Sequence, residues 1–148
     1  IVYWNDGKEI VDTFVVKTIK RFEEANGAEQ QLLPEFKDDE DKEFARRLFR
    51  RTILNAEYYR HLISENTRNW DLERVALMDI IIMQIALAEI LSFPNIPVSV
   101  TFNEYLEIAK LYSTPKSASF VNGTLDAIVN ALMDEDKLFK NELPINIK

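Results

Sequence analysis

The fold turns on one stretch: Val75-Ala76-Leu77-Met78-Asp79-Ile80-Ile81-Ile82-Met83-Gln84-Ile85-Ala86-Leu87-Ala88-Glu89-Ile90-Leu91. Only Asp79, Gln84 and Glu89 interrupt its apolar run. They recur every five residues, so on a helix each is turned about 140° from the last and they make no polar face. A helix that is apolar all round has to be covered by neighbours on every side. The segment is therefore expected to be the central helix of a bundle, beginning near Asp71 and covering 71–92. A membrane span is the rival reading. It requires roughly twenty nearly unbroken apolar residues, and it would sink Asp79 and Glu89 into hydrocarbon at a cost of a few kcal/mol each. The central-helix reading is preferred, and no membrane partner is expected. Asp79 and Glu89 lie on different faces and do not converge as a proton-transfer pair. Each is expected to take a hydrogen bond from a neighbouring helix or to cap a packed loop.

The flanking segments fit around that helix. Asp6-Gly7-Lys8-Glu9 has the form of a capping box. Val11, Phe14, Val15, Thr18 and Phe22 follow at helical spacing, and Asn26-Gly27 is expected to stop the helix. Residues 27–37, with Pro34, look like a connection pinned by Leu32, Leu33 and Phe36. A long helix is predicted from about Asp39 to about Glu65. Phe44, Ala45, Leu48, Ala56, Tyr59, Leu62 and Ile63 share its inner side, Arg46, Arg47 and Arg50 fall opposite, and Arg51 lies at the border. Beyond the central helix, Phe93-Pro94-Asn95-Ile96-Pro97 reads as a turn and Thr101-Phe102-Asn103-Glu104 as a second capping box. Phe102, Tyr105, Leu106, Ala109 and Tyr112 then form an amphipathic stripe. Pro115 ends the next connection, and Ser117 is a candidate N-cap. The last helix would pack through Ala118, Val121, Leu125, Ile128 and Leu132. From Asp134 the chain turns acidic, and the tail is expected to fray. No segment alternates as a half-buried strand would. The fold class is all-α: a compact single-domain helical bundle of about five or more helices spanning residues 1–148. Residues 1–37 form an N-terminal helix and connection, 38–133 the core, and 134–148 the acidic tail.

The chain's 148 residues are enough for one real core. Three glycines and five prolines are few interruptions, which favours long helices. The net charge of −7 means that any grip on nucleic acid is local, or that another chain supplies positive charge. There is no cysteine, so no disulfide or thiolate site, which suits a reducing cytoplasm. The single histidine, His61, sits where a helix end favours it. No HExxH or ExxH spacing and no glycine-rich phosphate loop is present. The sequence thus predicts no catalytic residue, no metal site and no cofactor; the protein is read as not an enzyme.

Two regions invite nucleic acid. Arg46, Arg47, Arg50 and Arg51 make a basic ridge, although Asp39, Glu40, Glu43 and Glu57 lie on or near it. A mixed-charge solvated face is the alternative. In the last helix Ser119, Asn122, Gly123, Asp126 and Asn130 share one side. Gly123 within a helix costs about 0.5–1 kcal/mol relative to alanine, which makes sense where another backbone or a ligand comes close. Phe120 falls at the edge of the apolar stripe, where it could stack an unpaired base or simply close the core.

The same residues carry a resemblance. Ile96-Pro97, Val100-Thr101-Phe102-Asn103-Glu104, Glu107-Ile108-Ala109-Lys110 and Phe120-Val121-Asn122-Gly123-Thr124-Leu125-Asp126 resemble the C-terminal signature of the NusB family of transcription antitermination factors. Trp70, Arg74 and Ile85-Ala86-Leu87-Ala88-Glu89 are similar to the preceding family helix, and Asn55, Tyr58 and Leu62 fit the one before. The likeness covers about residues 40–130; the F-V-N-G-x-L-D element with N-E and A-K upstream is its most specific part. It implies an all-helical protein that binds a boxA-type single-stranded leader RNA together with the small-subunit ribosomal protein NusE, within the transcription elongation complex. It implies Lys116, Ser117, Phe120, Asn122 and Gly123 as RNA-side residues and Glu89 and Asp126 as partner-side residues. Arg46, Arg47 and Arg50 are weaker RNA-backbone candidates. Asn103 and Glu104 are read as structural, with Glu104 occupied in its capping box.

There are departures from the family pattern. The first helix carries Lys8, Lys17, Lys20 and Arg21 among acids, without the family's arginine-rich run. Gln84 and Ser119 stand where the family often has basic residues. The chain begins at Ile1, so a fragment of a longer variant lacking the basic helix is expected. Loss of strong RNA binding is the other explanation. An accessory domain of a ribosomal-RNA-modifying enzyme, a plain helical scaffold and a homodimer all stay open.

Overall fold

The computed structural model describes residues 8–30, 38–67 and 75–140, and every element among them is helical. In order they are α1 (Lys8–Arg21), a 3-10 helix (Glu24–Glu29), α2 (Asp39–Leu54), α3 (Ala56–Asn66), α4 (Leu77–Ser92), α5 (Val98–Tyr112) and α6 (Ser117–Asp134). The chain divides into two compact units between Glu43 and Phe44, inside α2.

In the first unit α1 stops at Arg21, earlier than the Asn26-Gly27 pair predicts. The side-chain oxygen of Gln30 gives the chain a different set of partners there: it accepts from the Glu23 amide (3.1 Å) and from the Asn26 side chain (3.2 Å). Gly27 adopts φ 47° and ψ −126°, a conformation that side-chain-bearing residues avoid. Asp38 caps the start of α2, its carboxylate accepting from the Asp41 amide at 2.9 Å. The capping box at Asp6-Gly7 and the pinning residues Leu32, Leu33 and Phe36 lie outside the described residues.

In the second unit the predicted helix 39–65 is two helices, interrupted at Asn55 (φ −113°, ψ 17°). The Asn55 side chain donates to the Arg51 carbonyl at 2.9 Å, the local competition with helix geometry that asparagine offers. Across the interruption the Gln84 amide reaches the Ala56 carbonyl at 3.1 Å, so the one neutral polar residue of the central stretch fastens α4 to α3.

Helix α4 begins at Leu77, six residues later than expected, because Ala76 is extended (ψ 131°). It is central, with Asp79, Ile80, Ile82, Met83, Ala86, Leu87, Ala88, Glu89 and Ile90 all buried. The core joins Ile82, Met83, Ala86, Leu87 and Ala88 of this helix to Tyr59, Leu62 and Ile63 of α3, Tyr105 and Ala109 of α5, and Val121, Leu125, Ile128 and Leu132 of α6. Coverage on every side holds only for the C-terminal part of α4: Leu77, Met78 and Ile81 are exposed. At its far end Arg47 donates to the Ser92 carbonyl at 2.9 Å and its guanidinium lies 4.7 Å over the Phe93 ring. Phe44 packs on that same ring, centroids 4.9 Å apart. Arg47 therefore does not stand opposite the core; its long stem brings the charge to the last carbonyls of α4.

Helix α5 starts at Val98, with Pro97 in the cap position, so the second capping box does not form. Thr101 is inside the helix and fully buried, its hydroxyl turned to α4. Past α6 the chain turns through Asp136 (φ 53°). The amides of Asp136 and Lys137 bond back to the carbonyls of Met133 and Leu132, a Schellman closure. Leu138 then packs on the core. The Lys140 ammonium donates to the Phe93 and Ile96 carbonyls at 2.9 and 2.8 Å, tying the chain to the α4–α5 turn. Residues 141–148 lie outside the described residues. Lys140→Met is expected to lower stability by about 1–2 kcal/mol, read from urea unfolding, because two half-buried carbonyls lose a charged donor.

Candidate nucleic-acid interface

Helix α6 divides cleanly. Val121, Thr124, Leu125, Ile128, Val129 and Leu132 are buried against the bundle. Ser119, Asn122, Gly123, Asp126 and Asn130 are all exposed on the outer side, as the 3.6-residue period requires. Phe120 is half-buried at the border and packs on the core edge. A Cβ placed on Gly123 would meet nothing within 4 Å, so no close approach within the described chain calls for a glycine there.

Beside this face lies a cleft of about 670 Å³, lined by Val75, Ala76, Asp79, Pro115, Lys116 and Phe120 among others. That is the size range of ligand clefts. Lys116 is exposed at the cap position of α6. Ser117 does not cap the helix as expected: it is the first helical residue, 1% exposed, and its hydroxyl turns inward. There it donates to Asp79 Oδ2 at 2.8 Å and accepts from the Thr114 amide at 3.1 Å. The Ser113 hydroxyl donates to the other Asp79 oxygen. Ser113, Thr114 and Asp79 thus lie directly against a site residue that the sequence predicts, Ser117, without being predicted themselves. The signal available was the hydroxyl-rich run Ser113-Thr114-Pro115-Lys116-Ser117.

Glu89 stands elsewhere, inside the bundle and 6% exposed. It accepts from Thr101 Oγ1 at 2.7 Å and from the Tyr105 hydroxyl at 3.1 Å. Burial, then the Glu89 charge, push the Tyr105 hydroxyl well above the usual tyrosine range, so it stays a donor. The expectation that Asp79 and Glu89 each take hydrogen bonds from neighbouring elements is met at both. Glu104 is exposed and caps nothing, contrary to its expected job. Arg46 and Arg50 are exposed on α2 while Arg47 is occupied at Ser92. His61 pairs with Glu65 on the exposed side of α3, 3.3 Å apart.

The structure thus sets Lys116 and Phe120 beside the cleft, while Asn122, Gly123 and Asp126 are exposed on the outer face of α6, with Asn122 turned about 160° from Phe120 around the helix. The pattern of the NusB family matches residues 11–130. The chain belongs to the NusB family. It is 37% identical over 132 residues to the transcription antitermination protein NusB of Salinibacter ruber, covering 85% of this chain and 82% of that protein. The NusB of Geotalea daltonii is 33% identical, covering 91% of this chain and 90% of its own. With the NusB of Chloroherpeton thalassium the identity is 37%, over 82% of this chain and 58% of that longer protein. The solved structure of T. maritima NusB superposes with a TM-score of 0.63 at 38% identity, covering 71% of this chain and 74% of that one. All three of these relatives are named as transcription antitermination proteins. Among the described residues no helix is long and apolar enough to cross a membrane.

Proposed function

We propose that the chain acts in the cytoplasm by binding a boxA-type single-stranded RNA jointly with the ribosomal protein NusE, as part of a transcription elongation complex, and that the start of α6 is its RNA-side edge. The observation that supports this most is Gly123. It weakens α6 and nothing in the described chain needs it, which is the pattern of a surface kept low for an incoming backbone. Around it the groups have complementary tasks. The Lys116 ammonium meets a phosphate. The Phe120 ring stacks an unpaired base, and the Asn122 amide reaches a base edge. Asp126, which also accepts from Asn130 at 3.3 Å, is turned to the partner's basic groups. Arg46 and Arg50 are a second, weaker phosphate ridge. Ser117 acts from beneath the edge, and Glu89 from within the bundle by holding α5. With a net charge of −7, a basic partner that supplies positive charge to the RNA fits this reading.

The test is titration of a fluorescent boxA-type RNA with the full chain, with and without the ribosomal protein, at two salt concentrations. Salt-sensitive binding that requires the partner is expected, and Phe120→Ala should weaken it by about 5- to 100-fold, the worth of one stacked base. Asn122→Ala should weaken it less. Absence of binding with the partner present overturns the RNA reading and leaves a helical scaffold.

A further inference from the structure

We propose that Asp79 is a positioning residue for the RNA-side edge; the inference rests on the function proposed above. Asp79 is 5% exposed on α4, and among the described residues no basic side chain pairs with it. Among the described residues its carboxylate is answered by neutral hydroxyls, Ser113 on one oxygen and Ser117 on the other. Those serines bracket the turn between α5 and α6. Within it, Ser117 Oγ also takes the Thr114 amide at 3.1 Å, lies 2.8 Å from Thr114 Oγ1 and 2.9 Å from Ser113 Oγ. The turn is closed into a ring over a single buried carboxylate.

That ring sets two RNA-side groups. Lys116 immediately precedes Ser117, and the Phe120 amide bonds to the Lys116 carbonyl at 3.3 Å, so a shift at Ser117 carries both. A buried carboxylate with neutral partners is a costly way to fasten a turn. What it supplies is an acceptor-only group that draws both serine protons inward. It also leaves the Lys116 ammonium without an ion pair among the described residues, available at the mouth of the cleft. An amide at this position would present a donor to one serine and turn that hydroxyl outward.

The experiment uses the full chain with saturating ribosomal protein and boxA-type RNA. Asp79→Asn and Ser117→Ala are compared with the parent by circular dichroism and RNA titration, each alone and combined with Phe120→Leu. The expected result is unchanged helical content, RNA affinity lower by about tenfold, and a smaller drop when Phe120 is already Leu, because the loss runs through that ring. Ser117→Thr, which keeps the hydroxyl, should restore binding. If Asp79→Asn does not fold, Ser113→Ala takes its place with the same expectation. Folded variants that bind RNA as tightly as the parent, or losses that add fully to Phe120→Leu, overturn the positioning role and leave the RNA reading intact. A parent chain that binds no RNA overturns both.

Discussion

Leu87→Ala is expected to lower the unfolding free energy by about 2–5 kcal/mol, towards the upper part of that range. Leu87 has no solvent exposure and lies on the fully covered part of α4, in the cluster formed with α3, α5 and α6. Removing its side chain forfeits burial and leaves a cavity between rigid helices that cannot all move inward together. Against a typical total of about 5–15 kcal/mol the loss is large. The internal control is on the same helix: Leu77 is 68% exposed, and Leu77→Ala should stay within about 0.5 kcal/mol of the parent. Urea midpoints of the two variants decide. Equal, small effects would contradict the placement of α4 as the centre of the core.

Glu89→Ala should cost about 2–4 kcal/mol, since it strands two buried hydroxyl donors. Thr101 is fully buried and Tyr105 is 6% exposed, and both donate to this one carboxylate. Glu89→Gln keeps an acceptor and the volume, so it should lose only about 1–2 kcal/mol. A surface contact would behave in the opposite way, with stability unchanged and partner affinity lost. Thermal unfolding beside a partner titration separates the two cases.

The sequence disclosed the helices that have one clear apolar face. Val121, Leu125, Ile128 and Leu132 mark the buried side of α6, and the exposed residues from Ser119 to Asn130 follow by period alone. Phe120 at the border was legible for the same reason. What was not legible depended on partners distant in sequence. Thr101-x-x-Glu104 has the form of a capping box, but Glu89 offers Thr101 a buried charge, and Pro97 is already positioned to start α5. Ser117 resembles an N-cap, but its hydroxyl donates instead to Asp79, far upstream. Arg47 has the angular position of a solvent-facing residue, but its length lets it reach Ser92. Asn55 interrupts a helix whose apolar period continues unbroken on both sides, so the period could not show the interruption.

The claim that the outer face of α6 receives RNA is tested most directly at Gly123. In the chain by itself an added methyl has room, and Gly123→Ala should raise stability by about 0.5–1 kcal/mol through helix propensity. The decisive measurement is the affinity of this variant for boxA-type RNA in the presence of the ribosomal protein. The account predicts a more stable protein that binds RNA more weakly than the parent. A variant that is stabilised and binds RNA as tightly as the parent would contradict it.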